Sequence, residues 1–139
     1  MASNIYIDTN IFIDLLDSTR ETHSNSFSYV KTNVAKGNML YINSDSITNA
    51  FYILSKARRG QEMELIIFMK KIMQLFEVVA IENKEVLSAF DLCLDEAVGY
   101  KDYEDAMQYV CAKKIEADMI VTNDKKFVSL DIELQSTNI

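Results

Sequence analysis

Apolar positions along the chain alternate between two spacings, and that alternation predicts the fold class. Ile5, Tyr6 and Ile7 form a short unbroken run of β-branched and aromatic residues, which suits a strand inside a pleated sheet. Ile11, Phe12, Leu15 and Leu16 then recur at helical spacing, so the chain passes from strand to helix across Asp8-Thr9-Asn10. A polar connection from Asp17 to Ser26 contains His23. Phe27, Val30 and Val34 follow as a modest helical stripe ending at Gly37. Met39 to Ile42 reads as a second strand. Asn43-Ser44-Asp45 supplies cap residues for a helix whose Ile47, Ala50, Phe51 and Leu54 face inward. After Gly60 a further helix carries Leu65, Phe68, Met69, Ile72 and Met73 on one face, and Phe76 to Ile81 reads as a third strand.

The clearest helical stripe is Val86, Ala89, Phe90, Cys93, Leu94 and Ala97, ended by Gly99. Tyr103, Ala106, Met107, Val110 and Cys111 mark the last helix. Met119 to Thr122 is a fourth strand, and Ile132 to Leu134 belongs to a weak final one. Strands alternating with helices through short connections predict an α/β fold, with a short, mainly parallel sheet of four to five strands wrapped by helices. Leu54, Phe68, Phe90 and Val110 are expected to be buried.

Composition narrows the class. A chain of 139 residues, 49% hydrophobic and 25% charged, without proline and without a Gly/Ser-rich linker, suits one compact domain over residues 1–139. Cys93 and Cys111 lie within apolar helical stripes, where free cysteine behaves as a small hydrophobe, and no C-x-x-C spacing exists. No basic segment precedes an apolar stretch at the start, and the apolar runs are too short for a bilayer, so a cytoplasmic protein is expected and no membrane partner. The net charge of −7 argues against a nonspecific nucleic-acid coat, which needs a basic face to displace counterions. The bases instead cluster locally, as in Lys56-Ala57-Arg58-Arg59, Lys70-Lys71, Lys113-Lys114 and Lys125-Lys126.

Candidate chemistry lies where strands end in acids. Asp8 stands at the carboxyl end of the first strand, and Thr122-Asn123-Asp124 closes the fourth in the same manner. In open α/β sheets that edge forms the ligand crevice. Asp102 and Asp105, three apart at a helix start, would enter the same edge. Each acid has a plainer role available. Asp8 or Thr9 would cap the following helix, and Asp102 and Glu104 would answer a helix macrodipole, an explanation that suits Asp105 less well. If Asp8, Asp105 and Asp124 converge in a solvent-open cleft, their repulsion raises their pKa values unless a cation neutralises them. An all-oxygen set suits Mg²⁺ or Mn²⁺ rather than Zn²⁺, because no His or Cys set accompanies it. His23 stands outside this set.

At these residues the chain resembles the PIN-domain ribonucleases, particularly the small VapC-like toxins. The resemblance is carried by Asp8-Thr9-Asn10, Ile47-Thr48-Asn49, Asp105-Ala106 with Ala112 a helical face later, and Val121-Thr122-Asn123-Asp124-Lys125-Lys126-Phe127. Each motif alone is weak, and the four in order span essentially the whole chain. The resemblance implies a three-layer α/β/α fold and a metal-dependent endoribonuclease acting on RNA, the toxin of a type II toxin–antitoxin pair with a protein antitoxin. Asp8, Asp105 and Asp124 would hold the metal, with Thr9, Asn10, Thr122 and Asn123 shaping the pocket. One departure stands out. Asn49 occupies the place where most of the family carries a glutamate; Asp45 or Asp102 would be the substitutes for the missing charge, although a helix cap is the better explanation of Asp45.

Two other readings compete. A catalytically degenerate PIN fold serving as an RNA- or protein-binding module would account for Asn49 and the acidic balance. A phosphotransfer enzyme with Asp8 as nucleophile would want a second aspartate at Asn10, as in the haloacid-dehalogenase-like pattern. The apolar helix pair from Ile47 to Met73 offers more hydrophobic surface than one small core consumes, so a homodimer is expected.

Overall fold

The computed structural model describes residues 2–138. Its centre is strand β1 (Asn4–Ile7), flanked on one side by β2 (Met39–Asn43) and β3 (Phe76–Val79), and on the other by β4 (Met119–Val121) and β5 (Glu133–Gln135). Every neighbouring pair in this five-stranded sheet is parallel, with Ile5 opposite Leu40 and Met119, and Ile7 opposite Val121. Among the described residues there are six α-helices: α1 (Thr9–Leu16), α2 (His23–Ala35), α3 (Ser44–Ala57), α4 (Glu62–Ile72), α5 (Asn83–Leu94) and α6 (Tyr103–Lys114). A 3₁₀ turn, Met73–Leu75, leads into β3.

The period of two along β1 builds two cores. Ile5 and Ile7 face the cluster formed with α1 to α4, whereas Tyr6 faces the one formed with α5 and α6. Helices therefore cover both faces, which a parallel sheet requires because neither face can be left wet. Ile7, Ile42 and Ile120 have no exposed surface, and each such side chain is worth about 1.5–3 kcal/mol of transfer free energy. Helix α1 is enclosed nearly all round by α2, α3 and α4. Even Asp14 is buried there, with Oδ1 accepting from Arg20 Nε at 2.7 Å and Oδ2 from Ser26 Oγ at 2.6 Å, so its charge is compensated inside. His23 opens α2, its Nδ1 2.7 Å from the backbone oxygen of Asp14, and acts as a tie between helices.

Some faces differ from those the spacing predicts. Phe68 and Phe90 are exposed, Val110 is only half-buried, and Leu54 alone of the four is fully enclosed. Helix α4 is apolar on more than one face, so periodicity cannot choose a stripe, and Leu65, Met69 and Ile72 take the inner one. Helix α5 packs on α6 and leaves its outer face in solvent, where Phe90 meets Tyr103 with ring centroids 5.3 Å apart. It also stops at Leu94 rather than running on to Ala97, and a turn carries the chain through Gly99 at φ +85°. Leu54→Ala should cost about 2–5 kcal/mol by the cavity it leaves. Leu94→Ala, at a position 80% exposed, should stay within about 0.5 kcal/mol of the parent; urea denaturation of the two variants checks the assignment.

Candidate active site

The strand order places β1 and β4 side by side while the chain runs outward from them in both directions. Their carboxyl ends therefore flank the topological switch point, where the connecting loops part and leave a crevice. Asp8 ends one strand and Thr122 the other. The Asp8 N–H donates to Val121 O at 3.0 Å, and Thr122 Oγ1 donates to Asp8 Oδ2 at 2.7 Å.

Asp8 occupies the N-cap position of α1, yet its carboxylate does not cap the helix. Gln108 Nε2 donates to Oδ1 at 2.9 Å, so each carboxylate oxygen has its own side-chain donor. The other end of Gln108 supplies the acceptor that α1 needs, with Oε1 taking the Thr9 N–H at 3.0 Å. Thr9 Oγ1 lies 2.6 Å from Ser46 Oγ, which links α1 to α3. The expectation of a solvent-open Asp8 is thus corrected: the side chain is only 3% exposed, because α6 delivers Gln108 over it. Burial raises the Asp8 pKa, the hydrogen bonds from Thr122 and Gln108 lower it, and the charge of Asp124 raises it again.

Asp105 and Glu104 arrive on the first turn of α6, whose N-cap Asp102 accepts from the Glu104 N–H at 2.8 Å. Asp102 thus has the capping role open to it from sequence. Asp105 is partly enclosed, and its carboxyl is pushed up to about 7 by burial first, then by the charges of Asp102, Asp8, Asp124 and Glu104. Glu104 is also raised, by burial and by Asp8, Asp102 and Asp45, against the lowering effect of a hydrogen bond from Asn49 Nδ2 at 2.8 Å. These acids come from β1, α3, α6 and the β4 loop, and they share one field.

Asp124 lies at the exposed rim, with its N–H donating to Thr122 Oγ1 at 3.1 Å and its Oδ1 accepting from the Lys126 N–H at 2.9 Å. Asn123 turns the other way. Its Oδ1 accepts from Ser136 Oγ at 2.7 Å and from the Thr137 N–H at 2.9 Å, while its Nδ2 donates to Thr137 Oγ1 at 2.9 Å. It braces the β4 loop against the segment after β5 rather than lining the pocket. Asn10 is exposed on the first turn of α1, with no hydrogen bond to the acids among the described residues.

Among the described residues no ion pair includes Asp8, Asp102, Glu104, Asp105 or Asp124, although Asp14, Asp17, Glu82, Glu85 and Asp131 all have basic partners. Nor, among the described residues, do any three Asp, Glu, His or Cys side chains lie close enough together to hold a metal ion. The strand ends thus gather negative charge that no ion pair among the described residues balances. The donors are oxygens, which fits a hard divalent ion and not a thiophilic one.

A group of carboxylates at the switch point of a parallel sheet covered on both faces defines a class of α/β proteins whose chemistry is built on strand-end acids. The chain belongs to the PIN-domain family, matching it over residues 4–126. It is 32% identical over 136 residues to Ribonuclease VapC1 of Aquifex aeolicus strain VF5, covering 98% of this chain and 92% of that one. VapBC2 of Rickettsia felis, solved bound to a DNA fragment from its promoter, has the same fold with a TM-score of 0.74 at 18% identity, over 96% of this chain and 98% of that one. VapC20 of Mycobacterium tuberculosis, described as a Sarcin-Ricin loop cleaving toxin, matches with a TM-score of 0.69 at 12% identity, over 88% and 92% of the two chains.

Sequence reasoning missed Gln108 and Ser46, and it set Glu104 aside as a macrodipole residue. The signal for Gln108 was present: a neutral polar residue between the buried Met107 and Tyr109 needs partners inside the protein. The raised carboxyls have a measurable consequence. The folded chain keeps a proton on Asp105 up to about pH 7, whereas the unfolded chain releases it near the ordinary value of 3.8. Stability of the metal-free protein should therefore fall as pH rises through that window, with Asp8 and Glu104 acting in the same direction. Melting curves in chelator between pH 5 and 8 should show this slope, and Asp105→Asn should flatten it.

Proposed function

We propose that the protein is an endoribonuclease that hydrolyses RNA phosphodiester bonds with Mg²⁺ or Mn²⁺, and that it is the toxin of a type II toxin–antitoxin pair. The observation that carries this reading is the group of acids at the strand ends, without ion-pair partners among the described residues, in a PIN-domain chain 32% identical to a ribonuclease. Asp8, Asp105 and Asp124 would hold the cation, with Thr9, Thr122 and Gln108 as the supporting shell. Such an ion activates water and stabilises charge on a phosphoryl group. Thr122 and Gln108 hold both oxygens of Asp8 and favour its charged form despite burial. The charge of Asp124 is among those that raise Asp105. Lys125 and Lys126, exposed just past Asp124, supply positive charge beside the pocket for the RNA backbone, which the chain's −7 balance otherwise repels.

A protein antitoxin and a homodimer complete the proposal. Solved neighbours include toxin–antitoxin complexes, and Tyr52, Ile53, Met63, Ile66 and Ile67 leave an apolar surface on α3 and α4 that suits burial between copies. Among the described residues no helix is long and apolar enough to cross a membrane.

Mixed cellular RNA incubated with the protein should be cleaved in proportion to added Mg²⁺ or Mn²⁺, and Asp8→Asn should abolish that cleavage. The same substitution should leave the melting temperature of the metal-free protein unchanged or slightly higher, because one repelling charge is removed. Full activity in Asp8→Asn would end the proposal. For the dimer, sedimentation should give twice the 15.9 kDa monomer mass, and Ile53→Glu should return it to the monomer.

A further inference from the structure

Phe90 on α5 and Tyr103 at the start of α6 are 47% and 40% exposed, yet they touch, with ring centroids 5.3 Å apart and planes 34° from parallel. The two helices pack along one another, so the pair is carried by rigid elements rather than by a loop. Its place sets it apart. Tyr103 follows the N-cap Asp102 and immediately precedes Glu104 and Asp105, so its ring stands where α6 delivers acids to the carboxyl edge of the sheet. Exposed Lys101 lies just before it in the chain. Leu87 and Leu94 continue an exposed apolar stripe along α5, but neither offers a ring.

A chain of net charge −7 gains little affinity for a polyanion from phosphate contacts alone, because counterion release needs a broad basic face. Part of the attraction to RNA must then come from contacts that do not depend on charge. Stacking of bases on aromatic rings is such a contact, and it tolerates any sequence because every base has a π face. We propose that Phe90 and Tyr103 form a stacking platform for an unpaired nucleobase flanking the phosphate to be cleaved, with Lys101 answering a phosphate of the same strand. This rests on the nuclease reading above and adds the substrate class to it. A base inside a duplex has no free face, so the substrate is single-stranded RNA.

The chain has no tryptophan, so Tyr103→Trp places a single indole fluorophore in the platform. On rapid mixing in Mg²⁺ with a short, unpaired oligoribonucleotide of mixed sequence, its emission should be quenched before the strand is cut, and the same strand built from abasic residues should leave it unchanged. Phe90→Leu keeps the apolar bulk and loses the ring. It should raise KM for the oligoribonucleotide by about 5- to 150-fold, the span of losses at base-stacking positions, with kcat little changed because the acids are untouched. No quenching, equal quenching by the abasic strand, or a parental KM in Phe90→Leu would overturn the platform, while cleavage by the parent would leave the nuclease reading intact. Emission that follows protein concentration without RNA, and ignores added RNA, would assign the rings to a contact between copies and overturn it as well. A parent that cuts no RNA in Mg²⁺ or Mn²⁺ would remove the nuclease reading itself, and this inference with it.

Discussion

The site depends on how the buried carboxylate of Asp8 is held. An acid with 3% exposure costs several kcal/mol unless its charge is answered by donors. Gln108 and Thr122 answer it from two other parts of the chain, α6 and β4. The same contacts bring together the three segments that carry the acids. Gln108 also accepts the Thr9 N–H, so that one amide orients Asp8 and completes the start of α1. Removing its polar end would leave two buried groups unsatisfied at once, which makes Gln108 a structural tie between Asp8 and the start of α1.

Around that fixed point the molecule is asymmetric in charge. Acids away from the edge are paired, as Asp14 is with Arg20 and Glu85 with Lys114. Among the described residues those at the edge are not, and their charges disfavour the ionisation of Asp8, Glu104 and Asp105. A fold retains such unrelieved repulsion only where something else compensates, and strand-end acids with shifted pKa values are a frequent mark of function. The PIN-domain membership and the nuclease relative give that mark a chemical direction. Asn123, by contrast, belongs to the frame, since its amide is spent on Ser136 and Thr137.

Much of this was legible from the order of residues alone. Period-two and period-3.6 patterns are local, and so are capping preferences. They located β1, β2 and β4 nearly to the residue, placed the start of α3 at the Asn43 cap, and marked Asp8 and Asp124 as strand-end acids. Ser46 donates its N–H to Asn43 Oδ1 at 2.7 Å, as the cap chemistry implies. What failed were choices among equal local options. Helix α4 had several apolar faces, and α5 had a clean stripe but no layer to cover all of it, so Phe68 and Phe90 ended outside.

Only the tertiary structure decided how the acids are used. Whether Asp8 caps its own helix or faces the crevice depends on Gln108 and Thr122, which lie 100 and 114 residues away. Whether Glu104 serves only a helix terminus or also ties α6 to α3 depends on Asn49, on a helix from the opposite face of the sheet. The sequence determined which residues are acids, which strands end in them, and where the helices begin, because short-range sterics and hydrogen bonding govern those features. The partner of each carboxylate is a matter of which side chains packing delivers to the same few ångströms, and that is settled only when the two cores close on the sheet.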